Sequence, residues 1–499
     1  MPVVFNRHCV NRVSVIGLLV WASLLQTHAS QASEAIQGNR KAAAVAGTDS
    51  PTPAHPYPLI AAGWGPEVGN GRFSSRWAED WSVMQAAGNA PALKAMSLGP
   101  EASLTLSAEA RFRSDIYNNG QLKHGNDYSQ GLFRGILGAD LRLNENVRVY
   151  GEVGSGLTEG RRGAAAANFQ NAASMQQLFV DVRQHIGSTL VGAMIGRQEF
   201  ADGPRQLISL SDGPNIHRTW NGVRVYVHGE RQRIGAFDLR VTRLMRGSFD
   251  EEINHAERIQ GVNASLIVSS ADGPTTYIDP FWIRSKNPSF RSGSQVGLDD
   301  RDTLGVRAWG RTGRLRFDWT LARQTGNHMG HEVNAWALFM VHSVLLSNDG
   351  WKPSFTAHID AASGGGAFGT NKLNGFNPLY ASSSYLGEGQ FLSLSNLLMI
   401  APGISVTPTP LSNVSIEYGF ARRRSEADAA YAGGMRAYAR TQNVVGHEIG
   451  GLLRVGGSWS VSKHLTWALN YEHLAAGDVL KQAGLPSGSY LYVSATLRY

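Results

Sequence analysis

Hydrophobic and polar residues alternate along most of this chain, from about residue 104 to the C-terminus. In LTLSAEARFR (Leu104–Arg113), apolar or small side chains occupy every second position, and polar or charged side chains occupy the positions between. The same period returns in roughly sixteen to eighteen segments, separated by Gly, Asn, Asp, Pro and Ser. Successive side chains of a β-strand point to opposite faces. The pattern therefore predicts many strands joined by turns, each with one apolar and one charged face.

Three features favour a closed transmembrane barrel over a β-sandwich. The polar faces carry charges of both signs, aromatic residues lie near the segment ends, and the final segment, YLYVSATLRY (Tyr490–Tyr499), ends in an aromatic residue. Aromatic girdles are typical of outer-membrane barrels, and closure leaves no unpaired strand edge in lipid. We predict an all-β protein, a transmembrane antiparallel β-barrel of about 18 strands (range 16–18), wide enough to be a channel.

The N-terminus has the features of a secretory signal peptide. Two arginines precede the apolar run Val13–Leu25, and small residues follow it. We predict a signal peptide over residues 1–29, whose cleavage site could extend to residue 32. A flexible leader over 33–63 and the barrel domain over 64–499 are predicted to follow.

Composition narrows the chemistry further. The only cysteine, Cys9, lies in the predicted signal peptide, so we expect no disulfide and no thiolate site in the mature chain. The formal net charge is +7, and arginines greatly outnumber lysines. That bias fits either GC-rich coding or planar, bidentate recognition of carboxylate or phosphate. We do not expect nucleic acid as a partner of an exported barrel.

The polar strand faces supply the candidate residues for a charged lumen. The arginines predicted to line the substrate path are Arg111, Arg113, Arg134, Arg142, Arg148, Arg183, Arg224 and Arg240. Their predicted acidic partners are Glu109, Asp140, Glu152, Asp181 and Asp238. On the same faces, Tyr150 and Tyr226 offer either sugar-stacking surfaces or packing. The alternative for each arginine is a cross-strand ion pair that only braces the wall.

A further set of arginines comes from the segment GRQEFADGPRQLISLSDGPNIHRTWNGVRV (Gly196–Val225). Its two Asp-Gly-Pro turns rule out a simple strand and predict a long connection or a pair of bent strand ends. We expect this connection to reach into the bore and to carry Arg197, Arg205 and Arg218 toward a passing solute.

Other constellations favour neither catalysis nor a cofactor. His328 and His331 have a spacing that metal sites use, but no third ligand is evident, so we predict a surface loop and no metal. The glycine-rich stretch Gly364–Gly369 lacks the Lys-Ser/Thr of a phosphate-binding loop and is predicted to be a flexible loop. No Gly-x-Ser-x-Gly elbow occurs. We predict that the protein is not an enzyme and needs no cofactor; a lipid-facing Ser-His pair would be the exception.

An ordered set of motifs resembles the alginate export family of outer-membrane β-barrels. The set comprises RWAEDW (Arg76–Trp81), SLTLSAEARFRSD (Ser103–Asp115), the segment Gly196–Val225, NGFNPLY (Asn374–Tyr380) and YEHLAAGDVL (Tyr471–Leu480). The resemblance covers Arg76 to Tyr499. It implies a monomeric barrel with an arginine-lined constriction, through which a linear polyuronate leaves the cell by passive diffusion. It also implies a periplasmic assembly that hands over the polymer.

We therefore expect a channel in the outer membrane of a Gram-negative type of cell. Its expected partners are membrane lipid and an anionic polysaccharide, namely alginate or a related polyuronate. Arginine suits this cargo because it pairs with carboxylates in-plane and stays charged. The alternative is an uptake porin for anionic small solutes or oligosaccharides, built on the same fold. The polymer, the direction of transport and the gating loops are left open by the sequence.

Overall fold

Every residue that the structure describes belongs to the unit Pro58–Tyr499. The computed structural model describes residues 75–161, 163–201, 206–268, 276–348, 350–369 and 372–499. The predicted signal peptide (1–29) and leader (33–63) lie outside these residues. Arg205 and the first Asp-Gly-Pro turn, at 202–204, also lie outside them.

Eighteen long strands form the wall of a closed antiparallel barrel. Each strand pairs with the next one along the chain, and the last pairs with the first to close the wall. The strands are β1 (Ser103–Asn118), β2 (Tyr128–Arg142), β3 (Val147–Glu159), β4 (Asn171–Ile186), β5 (Thr189–Gln198), β6 (Trp220–His228), β7 (Gln232–Arg243), β8 (Glu252–Ile267), β9 (Thr276–Ser292), β10 (Gln295–Thr312), β11 (Leu315–His328), β12 (His331–Leu345), β13 (Ser354–Ala362), β14 (Leu397–Thr409), β15 (Ser412–Arg422), β16 (Glu448–Ser460), β17 (Leu465–Ala476) and β18 (Gly488–Arg498). The predicted fold class and strand number are confirmed.

The two ends of the barrel differ in their connections. At the end where β1 begins and β18 finishes, here called the terminus end, most turns are short, such as 187–188 and 410–411. At the opposite end, the loop end, several connections are much longer. In outer-membrane barrels the short turns face the periplasm and the long loops face outward. By that rule the terminus end is periplasmic.

Helices contribute little to the fold. Three α-helices occur in the part of the chain that the structure describes: α1 (Ser82–Ala86), α2 (Ser383–Leu386) and α3 (Asp478–Gln482). Within the described residues, no helix combines the length and the apolar character needed to cross a bilayer.

Alternation places apolar side chains on the outside of most strands. In β1, Phe112 and Ile116 are exposed on the outer face, whereas Arg111 and Asp115 are buried on the inner face. The inner side chains are buried because four segments fold into the bore. They are the plug (residues 75–101), the first inner loop (199–201 and 206–219), the second inner loop (363–369 and 372–396) and the third inner loop (423–447).

The inner segments carry apolar side chains of their own, which pack against the wall. Phe200 of the first inner loop lies 4.7 Å, centroid to centroid, from Phe237 of β7. Phe376 of the second inner loop lies 5.9 Å from Phe339 of β12. Burying such rings supplies the apolar core that an open channel lacks. The inner face of β7 is consequently apolar at Phe237 and Leu239, although Arg233 is buried on the same face.

Candidate functional site

Arg111 and Arg113 of β1 fasten the second Asp-Gly-Pro turn of the first inner loop to the wall. Arg111 donates to the main-chain oxygens of Asp212 (2.7 Å) and Pro214 (2.6 Å). Arg113 donates to the oxygen of Gly213 at 3.2 Å. The carboxylate of Asp212 is 3.8 Å from Arg111. Arg111 is thus satisfied mainly by neutral carbonyl groups, and most of its charge is not compensated by a tight ion pair.

Next to this turn, Arg134 and His217 form a buried charged network. The Nε of Arg134 donates to Glu109 at 2.9 Å, and its Nη1 donates to Asp212 at 2.7 Å. His217 lies between two carboxylates, with Nδ1 2.6 Å from Glu199 and Nε2 2.8 Å from Asp212. The network joins β1, β2 and the first inner loop.

The charges in this network shift the ionisation of the loop groups. Burial and Arg134 disfavour the charged imidazolium, but the hydrogen bonds with Asp212 and Glu199 raise the pKa of His217 to about 9. Burial opposes ionisation of Asp212, yet Arg134, His217 and Arg111 hold the pKa of its carboxyl well below the usual value. His217 is therefore a cation at neutral pH, and it pairs with the ionised carboxylate of Asp212.

Arg142 and Arg148 hold the plug. Arg148 donates to Asp140 at 2.6 Å and to the main-chain oxygen of Trp77. Arg142 forms an ion pair with Asp80 of the plug at 3.0 Å. These contacts match the bracing alternative, because both guanidinium groups are committed to the protein itself.

The remaining inner-face candidates lie beside the plug and the first inner loop. Arg224 is buried against the ring of Phe200 and donates to the oxygen of Glu199 at 3.3 Å. Tyr226 donates to Asp181 at 2.7 Å, and Tyr150 donates to Glu152 at 2.8 Å. Both rings are buried, so packing describes them better than sugar stacking. Arg183, by contrast, is partly exposed and donates to Glu145 O at 3.2 Å.

Two candidates of β7 were expected on the inner face, and that expectation is wrong. Leu239 and Phe237 are buried in the inner apolar cluster, so Asp238 and Arg240 point outward, where their side chains are 40% and 32% exposed. The inversion arises because the first inner loop presents apolar rings to this strand, and an apolar inner face buries them.

Arg197 was also expected in the bore, and the structure places it on the outer face. Its register partner on β4 is Leu178, which is 52% exposed. The guanidinium is covered by residues 244–251, where Glu251 accepts from it at 2.7 Å. The connection between β7 and β8 folds over the outside of the wall and neutralises this arginine.

Arg218 lies in the first inner loop, as expected, but it contacts another loop. Its guanidinium donates to Tyr380 O at 2.8 Å and lies 5.0 Å from the centroid of the Tyr380 ring. Burial lowers the pKa of Arg218. The arginine joins the first and second inner loops, which also share a parallel bridge between Ile208 and Tyr380.

A second charged cluster, around Glu388 of the second inner loop, was missed by sequence reasoning. Glu388 is 3.8 Å from Arg113, and the main-chain amides of Glu388 and Gly389 donate to Glu472 of β17 at 2.7 and 2.9 Å. Burial, together with Asp212 and Glu472, raises the pKa of Glu388 to about 7, against the effect of Arg113 and Arg111. Glu388 lies in a GEG stretch without periodicity, so no pattern in the sequence marked it.

Arg454 of β16 supports the same loop. It forms an ion pair with Glu417 and donates to Tyr385 O at 2.7 Å. The Tyr385 hydroxyl in turn donates to Asp360 at 2.6 Å. Helix α2 and the residues after it are therefore fixed to the wall from two sides.

His328 and His331 were considered for a metal site and predicted to lie in a surface loop, but they lie at the ends of two strands. His328 is buried at the end of β11, and its Nδ1 is 3.4 Å from Asp299. Within the described part of the chain, no group of three His, Cys, Asp or Glu side chains is arranged to hold a metal ion.

A closed eighteen-strand wall with charged inner residues and inserted loops defines an outer-membrane porin-type β-barrel. The same architecture is found in solved structures. Pseudomonas aeruginosa OccD3 (OpdP) has a TM-score of 0.54 and 11% identity, over 84% of this chain and 97% of that one. P. aeruginosa OpdK with vanillate has a TM-score of 0.50 and 12% identity, over 79% and 99%. A BenF-like porin from Pseudomonas fluorescens Pf-5 has 0.51 and 10%, over 80% and 99%.

The sequence itself identifies the family to which the chain belongs. The family model described as "Alginate export" matches residues 102–494, so the chain belongs to the alginate export family. No curated protein matches it. Membership and fold together assign the protein to the outer membrane of a Gram-negative cell.

Proposed function

We propose that this barrel lets an anionic polysaccharide, alginate or a related polyuronate, leave the cell passively through its bore. The observation that carries the proposal is the family match, which spans nearly the whole wall. The proposed process is diffusion without covalent chemistry. A periplasmic assembly would deliver the polymer to the terminus end.

The charges inside the barrel support this proposal. A polyuronate carries a carboxylate on every sugar, and fixed cations replace its counterions during passage. Arg111 adds uncompensated positive charge next to the bore, although its guanidinium is buried and donates to main-chain oxygens of the first inner loop. Among the described residues, Arg316 near the terminus end and Arg161 and Arg436 near the loop end have no carboxylate within 4 Å. These arginines provide weak sites along a route from one end to the other.

The acids that lie among these arginines favour transport of the polymer over tight binding. Glu388 and Asp212 lie beside Arg113 and Arg111, and they limit how tightly a carboxylate can be held there. A polymer must leave each site as readily as it enters, so partial compensation favours conduction.

The test is a planar-bilayer recording of the purified barrel. We expect anion selectivity in a salt gradient, and block by polymannuronate but not by neutral dextran of the same length. The variant Arg161→Gln/Arg316→Gln/Arg436→Gln should be less anion-selective and less easily blocked. A matched variant with the same charge change, Arg314→Gln/Lys352→Gln/Arg422→Gln, should behave as wild type. A cation-selective pore that the polymer does not block would overturn the proposal.

A second function, uptake of small anionic solutes, is favoured by one observation. Four segments fold into the bore, and the first and second inner loops are joined across it by Arg218 and Tyr380. Liposome swelling separates the two functions. If monomeric glucuronate permeates freely while polymannuronate neither blocks nor passes, uptake replaces export as the better description.

A further inference from the structure

A row of like charges crosses the outer face of the barrel near the loop end. Arg240 of β7 is directly opposite Arg258 of β8, and Arg258 is directly opposite Lys286 of β9. All three point outward, since Leu239, Ile259 and Ser285, their neighbours in sequence, are buried on the inner face. Like charges placed directly opposite on adjacent strands repel each other. A bare row of this kind is unfavourable unless an anion lies over it.

The protein compensates only part of this charge. Asp238 receives two hydrogen bonds from Arg258, one of them 2.6 Å from Nε, so its carboxylate is committed to that residue. Arg240 reaches the same carboxylate only at 3.9 Å. Asp300, which is opposite Lys286 across β9 and β10, accepts both of its hydrogen bonds from Arg284, at 3.1 and 3.2 Å. Arg240 and Lys286 are left as weakly compensated cations on either side of a neutral pair.

The position of the row along the barrel axis shows which layer of the membrane surrounds it. Two rows nearer the terminus end, the outer face becomes apolar, with Val262, Trp282 and Leu304 exposed side by side. The indole of Trp282 donates to Asp302 at 3.0 Å, toward the charged row. Tryptophan with its ring in the apolar band and its N–H at the polar edge is typical of the membrane interface. The row therefore lies at the level of the lipid headgroups.

We infer that Arg240, Arg258 and Lys286 form a binding site for the phosphate of an anionic lipid headgroup in the outward-facing leaflet. Arg258 is held in place by Asp238 and separates the two weakly compensated cations. A phosphate above the row would accept hydrogen bonds from Arg240 and Lys286 and remove the repulsion along it. This site lies on the outside of the wall and does not depend on what passes through the bore.

The experiment uses the full-length barrel in neutral detergent, with phosphorylated lipid A added in mixed micelles. We expect lipid A to raise the Tm and to remain bound after gel filtration. The variant Arg240→Gln/Lys286→Gln keeps the Arg258–Asp238 pair, and it should bind lipid A at least about tenfold more weakly. A matched variant, Arg314→Gln/Lys352→Gln, loses the same charge at the terminus end and should bind as wild type.

Two further measurements control for a loss of stability and for binding of free phosphate. Without lipid, Arg240→Gln/Lys286→Gln should have a Tm equal to or above that of wild type, because it removes like-charge repulsion. Inorganic phosphate at the same concentration, and micelles with neutral lipid only, should give no comparable shift. Equal lipid A binding by both variants would overturn the inference. A full effect of inorganic phosphate would also overturn it, because the site would then not be one for lipid.

Discussion

Arg134 and Glu109 form a buried ion pair across β1 and β2, with Nε 2.9 Å from the carboxylate oxygen, and the same guanidinium also donates to Asp212. This one side chain therefore connects the wall to the first inner loop. Breaking a buried pair by removing one partner leaves an uncompensated charge, which costs far more than the pair contributes.

We predict that Arg134→Met lowers the free energy of unfolding by about 3–5 kcal/mol, because Glu109 and Asp212 then lose their common partner. Denaturant titration in detergent micelles, followed by tryptophan fluorescence, measures the change. Arg183→Met is the control, since Arg183 is partly exposed and donates to one main-chain oxygen. It should change the free energy by less than about 1 kcal/mol. A small effect at Arg134 would show that the network is dispensable.

The first inner loop should loosen in alkali. The pKa of His217 is about 9 in the folded protein, above its ordinary value of 6.5. The stabilisation from its imidazolium is thus complete below pH 6.5 and is lost as the pH rises through 9. Hydrogen exchange of residues 206–219 should accelerate between pH 8 and 10, after correction for the intrinsic rate. His217→Gln should exchange faster at pH 7 and lack the extra step. An unchanged corrected rate in wild type would contradict this assignment.

Ion selectivity should depend on pH near neutrality. The pKa of Glu388 is raised to about 7, so its carboxyl ionises between roughly pH 6 and 8 beside Arg113. The new negative charge opposes anions, and the anion preference of the pore should fall as the pH rises. Reversal potentials in a salt gradient measure it. Glu388→Gln should keep the low-pH selectivity throughout; a variant that retains the pH dependence would assign the titration to another group.

The backbone is tightly packed around Gly196, where β5 meets the first inner loop. It has φ +131°, and a Cβ at this position would lie 2.3 Å from Leu178 O. We expect Gly196→Ala to cost more than about 2 kcal/mol of unfolding free energy, since the backbone must shift. Gly457→Ala is the matched control, because its Cβ would come no closer than 3.7 Å to Asn413 O. If both variants unfold alike, the clash is relieved without cost.

The strand faces could be read from the sequence wherever lipid lies on one side and polar groups on the other. In β1 the period of two assigned Phe112 to the outside and Arg111 to the inside, as the structure has them. In β7 the period was also correct, but the faces were reversed. The alternation fixes only which residues share a face, and what lies against each face depends on other parts of the chain.

The inner contacts could not be predicted, because they join residues far apart in sequence. Arg134 and Asp212 are 78 positions apart, and no local pattern pairs them. Glu388 acquires its environment from β1 and β17, which are distant from it in sequence. Charge on a strand predicts that a partner is needed, since a buried charge is costly alone. It does not say whether the partner is an acid, a carbonyl group or a passing solute.

The contact between the plug and Tyr499 sets an order of assembly. Arg76 donates to the main-chain oxygen of Tyr499, and Tyr499 is also hydrogen-bonded to Ala108 of β1. Arg76 precedes β1 in the sequence, whereas its acceptor follows β18, so the two groups meet only where β1 and β18 pair. The hydrogen bond from Arg76 of the plug to Tyr499 therefore cannot form before β1 and β18 have paired. Formation of this contact is therefore a late step that reports completion of the ring, whereas the contacts of the plug with Arg142 and Arg148 do not depend on it.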